Sequence, residues 1–397
     1  MRNLISGNFG WSGPRRGFLA AAAALVLVGC DMPVGPMAGG GSSVDTSGPV
    51  TVALLVPGGS NDPGRQVLAQ SLENAARLAV ADLQGVQIDL RVYQTGGNAE
   101  RAAQVAAQAV NDGAGIIVGP LYAESATAVG RTVASSGVNV LSFSNNPAAA
   151  GGNVFLLGPT FENTSTRLMA YAAEQGKGRV MLIAEQNESG QVAEAAVRAA
   201  AARTGASLVA TQSYAYSQQG VVDALPRIAS SARSSGAQTV LLTAGSGGAL
   251  PILSELLSQN GLSPQQFQYM GLTRWDIPAS ALRELRSLEG GWFALPDPGL
   301  TSRFDARYAN AYGDAPHPVA SLGYDGIAAV GALLRQGGAD ALSASRLTQG
   351  QGFVGVSGVF RLRPDGMNER GLAIGEVRDE RTVIISPAPR SFVGGGF

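Results

Sequence analysis

The chain is poor in the two residue types that most often build metal sites and catalytic triads. Among its 397 residues it has one cysteine, Cys30, and one histidine, His317. A single cysteine excludes an internal disulfide, and one histidine with one cysteine cannot form a His/Cys zinc cluster. A Ser-His-Asp triad would have to use His317, which lies between two prolines, and the chain has no Gly-x-Ser-x-Gly motif. We therefore predict no enzyme activity, no metal site and no cofactor; paired carboxylates are the one catalytic arrangement left open.

Charged residues are also scarce. They make up 14% of the chain with a net charge of −1, whereas hydrophobic residues make up 45%. A chain of this composition can bury a core, which excludes disorder over most of its length. The lack of a basic excess argues against nucleic acid as a partner. At ~150 residues per domain, the length predicts about two domains once a leader is removed.

The first thirty residues predict an exported lipoprotein. A positive segment precedes an apolar run, residues 17–28, which has the length of a signal peptide and is too short to span a bilayer. Leu27-Val28-Gly29-Cys30 resembles a bacterial lipobox, and Arg15-Arg16-Gly17-Phe18-Leu19 resembles a twin-arginine signal. We expect residues 1–29 to be a signal peptide and Cys30 to carry a lipid anchor in the periplasm. The alternative for Cys30 is an ordinary buried thiol.

Residues 30–48 have no hydrophobic periodicity and are rich in Gly, Pro and Ser. Such a composition is typical of a flexible tether. Asp31, directly after the cysteine, resembles the signal that retains lipoproteins in the inner membrane. The outer membrane is the alternative location. We expect this segment to hold a folded body close to a membrane.

The folded body is organised around Gly115 to Ser125. Residues 116–118 form a continuous apolar run, which is typical of a strand buried on both faces of a parallel sheet. Gly119-Pro120 ends that strand, and a helix start follows at Tyr122. In open α/β sheets, ligands bind at such strand-to-helix turns. Strands alternate with helices from Pro49 onward, which predicts βαβ units and an α/β fold.

The same alternation restarts after Pro159, which predicts a second α/β unit. Residues 358–362 and 372–377 are predicted to pair around a turn at 363–366, because Pro364 and Gly366 punctuate the chain there. The tail, residues 387–397, is expected to be loose.

Four stretches of the chain carry a resemblance to a known family. They are Val52-Ala53-Leu54-Leu55-Val56-Pro57, Ile117-Val118-Gly119-Pro120, Val138-Asn139-Val140-Leu141-Ser142 and Ala320-Ser321-Leu322-Gly323-Tyr324-Asp325. Together they resemble the type I periplasmic binding proteins of the leucine-binding family. The resemblance covers about residues 49–385 and implies two Rossmann-like lobes, each a parallel sheet flanked by helices, joined by three crossovers and closing on a ligand. It implies a first lobe of residues 49–159 plus about 297–365, and a second of 160–296 plus about 366–386.

A further series of residues carries a narrower resemblance. The series comprises Met270-Gly271-Leu272-Thr273-Arg274-Trp275-Asp276, Gly290-Gly291-Trp292-Phe293-Ala294, Phe304, Tyr308, Tyr312-Gly313 and Tyr324-Asp325. It is similar to a lipoprotein branch described as penicillin-binding-protein activators. This resemblance implies a regulator of peptidoglycan synthesis whose partner is a penicillin-binding protein. The alternative is the solute receptor of an ABC importer, with an ABC permease as partner.

The ligand residues of the amino-acid binders are mostly missing when carried over by position. The serine that grips the carboxylate falls near Ala123, and a second-lobe Tyr-Gly falls at Ser189-Gly190. A stacking tyrosine falls near Ala249 or Leu250, and the acid that holds the ammonium falls at Thr273. Since burying either charge unpaired costs several kcal/mol, these losses argue against a free amino acid as ligand.

The predicted cleft instead carries neutral donors and acceptors, which suit a small polar, weakly charged ligand. Two residues have two possible interpretations each. Trp275 is predicted either to line the cleft or to pack in a core, and Asp325 either to cap a helix or to face the ligand. The predicted cleft residues are Ser60, Asn61, Tyr122, Ala123, Ser144, Asn145, Asn146, Ser189, Ser246, Thr273 and Trp275.

Overall fold

The computed structural model describes residues 43–392 of the chain. The predicted signal peptide, the lipidation site Cys30, Asp31 and most of the predicted tether lie outside the described residues. Within the described part, no helix is long and apolar enough to cross a membrane.

The first lobe is built on a five-stranded, fully parallel sheet with the order β2-β1-β3-β4-β5. Its central strand β3 is fully buried, as its continuous apolar run predicts. Gly119 follows this strand with φ of 93°, and a Cβ there would lie 2.2 Å from the Leu55 carbonyl oxygen. Only glycine fits that turn. The strands are β1 (Val50–Val56), β2 (Ile88–Gln94), β3 (Ile116–Val118), β4 (Asn139–Ser142) and β5 (Val154–Leu156).

Helices cover both faces of this sheet. Helix α9 packs on α1 so closely that a Cβ at Gly323 would lie 2.5 Å from the Leu72 carbonyl oxygen. The helices of this lobe are α1 (Pro63–Asp82), α2 (Ala99–Asn111), α3 (Ala123–Val133), α8 (Pro298–Tyr312), α9 (Ser321–Gln336) and the short α10 (Ala344–Leu347).

The second lobe contains a seven-stranded sheet with the order β15-β14-β10-β9-β8-β6-β7. Five strands run parallel, and β14 and β15 add antiparallel to one edge. The strands are β6 (Arg179–Glu185), β7 (Ser207–Tyr214), β8 (Thr239–Leu242), β9 (Gln268–Gly271), β10 (Trp292–Leu295), β14 (Ala373–Arg378) and β15 (Arg381–Ser386). The helices are α4 (Phe161–Glu174), α5 (Glu188–Thr204), α6 (Gln218–Ser234) and α7 (Leu250–Gln259).

A small antiparallel sheet completes the first lobe. It comprises β11 (Phe353–Gly355), β12 (Gly358–Leu362) and β13 (Asn368–Arg370). The predicted pairing of 358–362 with 372–377 is therefore wrong. The turn at 363–366 does form, but it returns the chain into β13, and the chain then crosses into the second lobe before β14 begins.

The end of the described chain packs against the body, in contrast to the loose tail expected. Ala388 and Phe392 are buried. The guanidinium of Arg361 lies 4.7 Å from the centroid of the Phe392 ring. Residues 387–392 thus add to the body, and the remaining tail lies outside the described residues.

Three connections join the lobes, at residues 157–160, 296–297 and 371–372. Arg370, directly before the third connection, donates both from Nε (2.9 Å) and from Nη2 to the carbonyl of Leu157 in the first. Its Nη1 lies 3.4 Å from the Asp325 carboxylate, which also accepts a 2.7 Å hydrogen bond from the Val356 backbone. A fully buried ion pair therefore ties two of the three connections to α9.

Asp325 is consequently not a helix cap. Helix α9 is preceded by Ala320 at its N-cap, and Asp325 lies inside the helix with 0% of its surface exposed. Burial raises the pKa of its carboxyl group, and the Arg370 guanidinium opposes that shift.

We predict that Arg370→Gln lowers the free energy of unfolding by about 3–5 kcal/mol, because it leaves a buried carboxylate without its partner. Urea denaturation followed by circular dichroism measures this. The control is Arg378→Gln on β14, whose ion pair with Glu376 is half-exposed and should contribute about 1 kcal/mol or less. Equal losses in the two variants would contradict a structural role for the buried pair.

Candidate ligand-binding cleft

A cavity of about 280 Å³ lies between the lobes, beside all three connections. We call it the cleft cavity. The first lobe contributes the loop after β4, the start of α9 and Ser357, and the second contributes the start of α4 and the segments after β9 and β10. Its lining is Asn145, Pro159, Thr160, Phe161, Thr164, Leu272, Thr273, Arg274, Ile277, Ala294, Leu295, Pro296, Pro318, Val319, Ser321, Leu322, Ser357, Arg370 and Leu372.

The walls of the cleft cavity are mainly apolar, with polar groups at a few points. Hydroxyls come from Thr160, Thr164, Thr273, Ser321 and Ser357, and an amide from Asn145. Among the described residues that line it, none carries a carboxylate. This composition is typical of sites for small molecules, which combine an apolar body with a small number of orienting polar groups.

Arg274 and Arg370 bring positive charge to the wall. Arg370 is fixed by Asp325 and Leu157, whereas the side chain of Arg274 is 32% exposed. Two hydrogen bonds of 2.8 and 2.7 Å join Arg274 to Asp276, through Nε and Nη2. Since a guanidinium has five N–H donors, Arg274 retains donors for a further acceptor.

The mouth of the cleft forms a second cavity of about 250 Å³. Asn145 and Asn146 reach it from the first lobe, and Glu188, Ser189 and Val192 from helix α5, with Phe161 between them. Four of the predicted cleft residues thus line the two cavities: Asn145, Asn146, Ser189 and Thr273.

Six other predicted residues line neither cavity. Ser60 and Asn61 lie in the loop directly before helix α1. Tyr122 lies at the start of α3, where its ring centroid is 6.0 Å from the guanidinium carbon of Arg65. The Ser246 hydroxyl donates to the Ile277 carbonyl at 2.5 Å. Ala123 begins α3, and buried Ser144 accepts a hydrogen bond from the Asn146 backbone. These residues follow strands as predicted, and the hydroxyls of Ser60, Ser144 and Ser246 form hydrogen bonds with backbone groups of loops.

The sequence itself decides the family. A profile described as "Periplasmic binding protein" matches residues 49–382. The chain belongs to the periplasmic binding protein family.

Solved structures of other binding proteins have the same fold. A protein described as a branched-chain amino acid ABC transporter from Rhodospirillum rubrum superposes with a TM-score of 0.71 at 18% identity, covering 85% of this chain and 100% of that one. The ABC transporter substrate-binding protein of Desulfitobacterium hafniense in complex with Leu superposes with a TM-score of 0.63 at 20% identity, covering 85% of this chain and 99% of that one. A solute-binding protein from Rhodopseudomonas palustris in complex with 3,4-dihydroxybenzoic acid gives 0.57 at 16%, covering 86% and 98%. The predicted type I fold is confirmed. No curated protein sequence matches the chain.

Several residues of this periplasmic binding protein that line the cleft were not predicted from its sequence. Thr160 and Phe161 begin α4, where Thr160 and Asn163 form a reciprocal capping box. A Thr-x-x-Asn pattern directly after Pro159 is the signal that could have placed a helix start at the first connection. Ser357 gives no such signal, because only the crossing between the lobes brings β11 and β12 near the cleft.

Trp275 of the binding protein lies in the core of the second lobe. Its side chain is 0% exposed and its ring lies 6.0 Å from that of Phe293. A Cβ at Gly271 or Gly291 would lie 2.3 or 2.6 Å from ring atoms of Trp275. The two glycines therefore make room for the indole, and the ring is unavailable to a ligand in the cleft.

We predict that Trp275→Ala lowers the free energy of unfolding by about 3–5 kcal/mol, as expected for a large cavity in a core. Urea denaturation measures the change. Tyr122→Ala is the control, because Tyr122 is 37% exposed and its loss should cost little. A Trp275→Ala protein of unchanged stability would contradict the core position.

Proposed function

We propose that the chain is a solute-binding protein that captures a small, mainly apolar ligand without an ammonium group and presents it to an ABC permease. The observation that carries the proposal is the cleft cavity, which lies between the lobes and has no carboxylate in its described lining. The proposal follows the ABC-importer alternative, since the similar solved structures are ABC transporter binding proteins.

The cavity favours a ligand with an apolar body and either neutral polar groups or one carboxylate. Thr160, Thr273 and Asn145 supply hydrogen bonds without charge, and Arg274 supplies the accessible cation. An ammonium group would lack a carboxylate in this wall and would lie near Arg274, so it would pay the cost of desolvation without compensation. The neighbour in complex with 3,4-dihydroxybenzoic acid supports the proposal, because its ligand has an apolar body and a carboxylate but no ammonium group. The neighbour in complex with leucine binds a ligand of the other class.

The residues that resemble the penicillin-binding-protein activators give less support to a regulatory role. Trp275, Phe304 and Tyr308 are buried, and the Phe304 and Tyr308 rings pack 5.9 Å apart. Buried positions of this kind maintain the fold and do not define a surface for a partner. We therefore place the regulator second.

The proposed site of action is the periplasm, next to a membrane. The signal peptide and the lipidation of Cys30 remain predictions from sequence, and both agree with membership of a periplasmic family. A lipid anchor would keep the binding protein close to its permease, which raises its effective concentration there.

The test is a comparison of leucine with 4-methylpentanoate, which has the same apolar body and carboxylate but no ammonium. Benzoate, 3,4-dihydroxybenzoate, short peptides, sugars and muropeptides complete the panel. We expect the carboxylates without ammonium to raise the melting temperature of the purified full chain. A ligand at 100 times its Kd stabilises by about 2.7 kcal/mol.

For the ligand that binds, Arg274→Gln should raise the Kd at least tenfold, since a hydrogen bond to a charged group contributes about 1.5–3 kcal/mol. Arg227→Gln is the matched control, because Arg227 lies on α6 of the same lobe and bonds to Gln212 and Ser213 away from the cleft. Preference for leucine over 4-methylpentanoate would overturn the ligand class. No shift with any small molecule, together with specific binding of a purified penicillin-binding protein, would favour the regulator.

A further inference from the structure

A third cavity, of about 320 Å³, lies beside the connections where α4 and α5 meet the small sheet of the first lobe. We call it the arginine pocket, because half of its lining residues are arginines. The lining is Glu162, Asn163, Thr166, Arg167, Arg203, Arg361, Arg363, Glu369, Arg370 and Phe392.

Positive charge exceeds negative charge in this wall. The wall contains five arginines and two glutamates. Two of the arginines share one carboxylate oxygen, because Arg203 Nη2 and Arg363 Nη1 each lie 2.8 Å from Oε1 of Glu162. Arg361 pairs with Glu369 at 2.7 Å through Nε. The carboxylates that pair with Arg363 and Arg370 from outside the wall are Asp365 and Asp325.

Arg167 is the least compensated of the five. It donates to the Leu372 carbonyl at 2.8 Å and to the Ser386 hydroxyl at 2.5 Å, both uncharged acceptors. The guanidinium carbon of Arg167 lies 5.9 Å from the centroid of the Tyr171 ring. Burial lowers the pKa of Arg167, and the charge of Glu174 opposes that shift.

We propose that the arginine pocket is a second binding site, for a small anion with two or more phosphate or carboxylate groups. Guanidinium groups recognise both kinds of group through paired, charge-assisted hydrogen bonds. One such group would bind between Arg203 and Arg363, where Glu162 now supplies a single shared oxygen. Another would reach Arg167 or Arg361 across the pocket. A monovalent anion would engage only part of this wall.

The arginine pocket is separate from the cleft cavity, but the two cavities share one lining residue. Arg370 lines both the arginine pocket and the cleft cavity. The pocket also takes residues from both sides of the hinge: Glu162 and Arg203 belong to the second lobe, and Arg361 and Arg363 to the first. The proposal does not depend on the identity of the cleft ligand, and its test does not use one.

The experiment is isothermal titration calorimetry of the purified full chain with tripolyphosphate and, separately, with citrate. Sodium chloride of matched ionic strength is the reference, since screening alone changes weak charge interactions. We expect saturable binding of one anion per chain. The arm with the lower Kd identifies phosphate or carboxylate as the preferred chemistry.

Variants on the wall distinguish the pocket from general surface binding. Arg203→Gln and Arg361→Gln should each raise the Kd at least tenfold. Arg198→Gln is the matched control, because Arg198 lies on the same helix as Arg203, pairs with Glu194 and is 63% exposed. Glu162→Gln should have the opposite effect and lower the Kd several-fold, since it frees Arg203 and Arg363 from competition. Melting curves verify that each variant folds.

Three results would each overturn the proposal. The first is the absence of saturable binding of both anions above the chloride reference. The second is a loss of binding in Arg198→Gln as large as in Arg203→Gln, and the third is weaker binding in Glu162→Gln. None of them affects the solute-binding function of the cleft, because that function is tested with different ligands and with Arg274→Gln.

Discussion

The buried contact between Arg370 and Asp325 is the constraint that fixes two of the three connections between the lobes to helix α9. It joins the end of β13 to α9, and through the Leu157 carbonyl it also holds the first connection. A pair buried this deeply is weak as a source of net stability but strong as a determinant of geometry, because neither partner tolerates the loss of the other. The same guanidinium lines both the cleft cavity and the arginine pocket.

The cleft cavity combines an apolar wall with hydrogen-bonding groups at its edges. Its polar groups come from the ends of strands and the starts of helices, where an α/β sheet leaves backbone and side chains free for a ligand. Under the proposed function, the hydrophobic lining would contribute affinity through the apolar area that a ligand covers, and Thr273, Asn145 and Arg274 would orient that ligand. The arginine pocket has the opposite character, because five arginines and two glutamates lie in its wall.

Much of the fold could be predicted from periodicity and from the family resemblance. The run at 116–118 gave the central strand, and the restart after Pro159 gave the second lobe. The predicted pairing of 358–362 with 372–377 was wrong because the turn at 363–366 determines only the strand directly after it, β13. It does not determine which sheet the later strand β14 joins. Trp275 was ambiguous for a related reason: a residue just after a strand can face the cleft or turn back into the core, and here Gly271 and Gly291 admit the indole to the core.

The sequence by itself determined the class of fold and the order of its elements. These features are local or follow from residue type, so no long-range contact is needed to see them. Tertiary structure alone decided which residues meet: Asn145 with Ser189, Arg370 with Asp325, and the five arginines of one pocket. Each of these groups unites residues from distant parts of the chain, and crossovers between lobes bring them together through packing that no local pattern encodes.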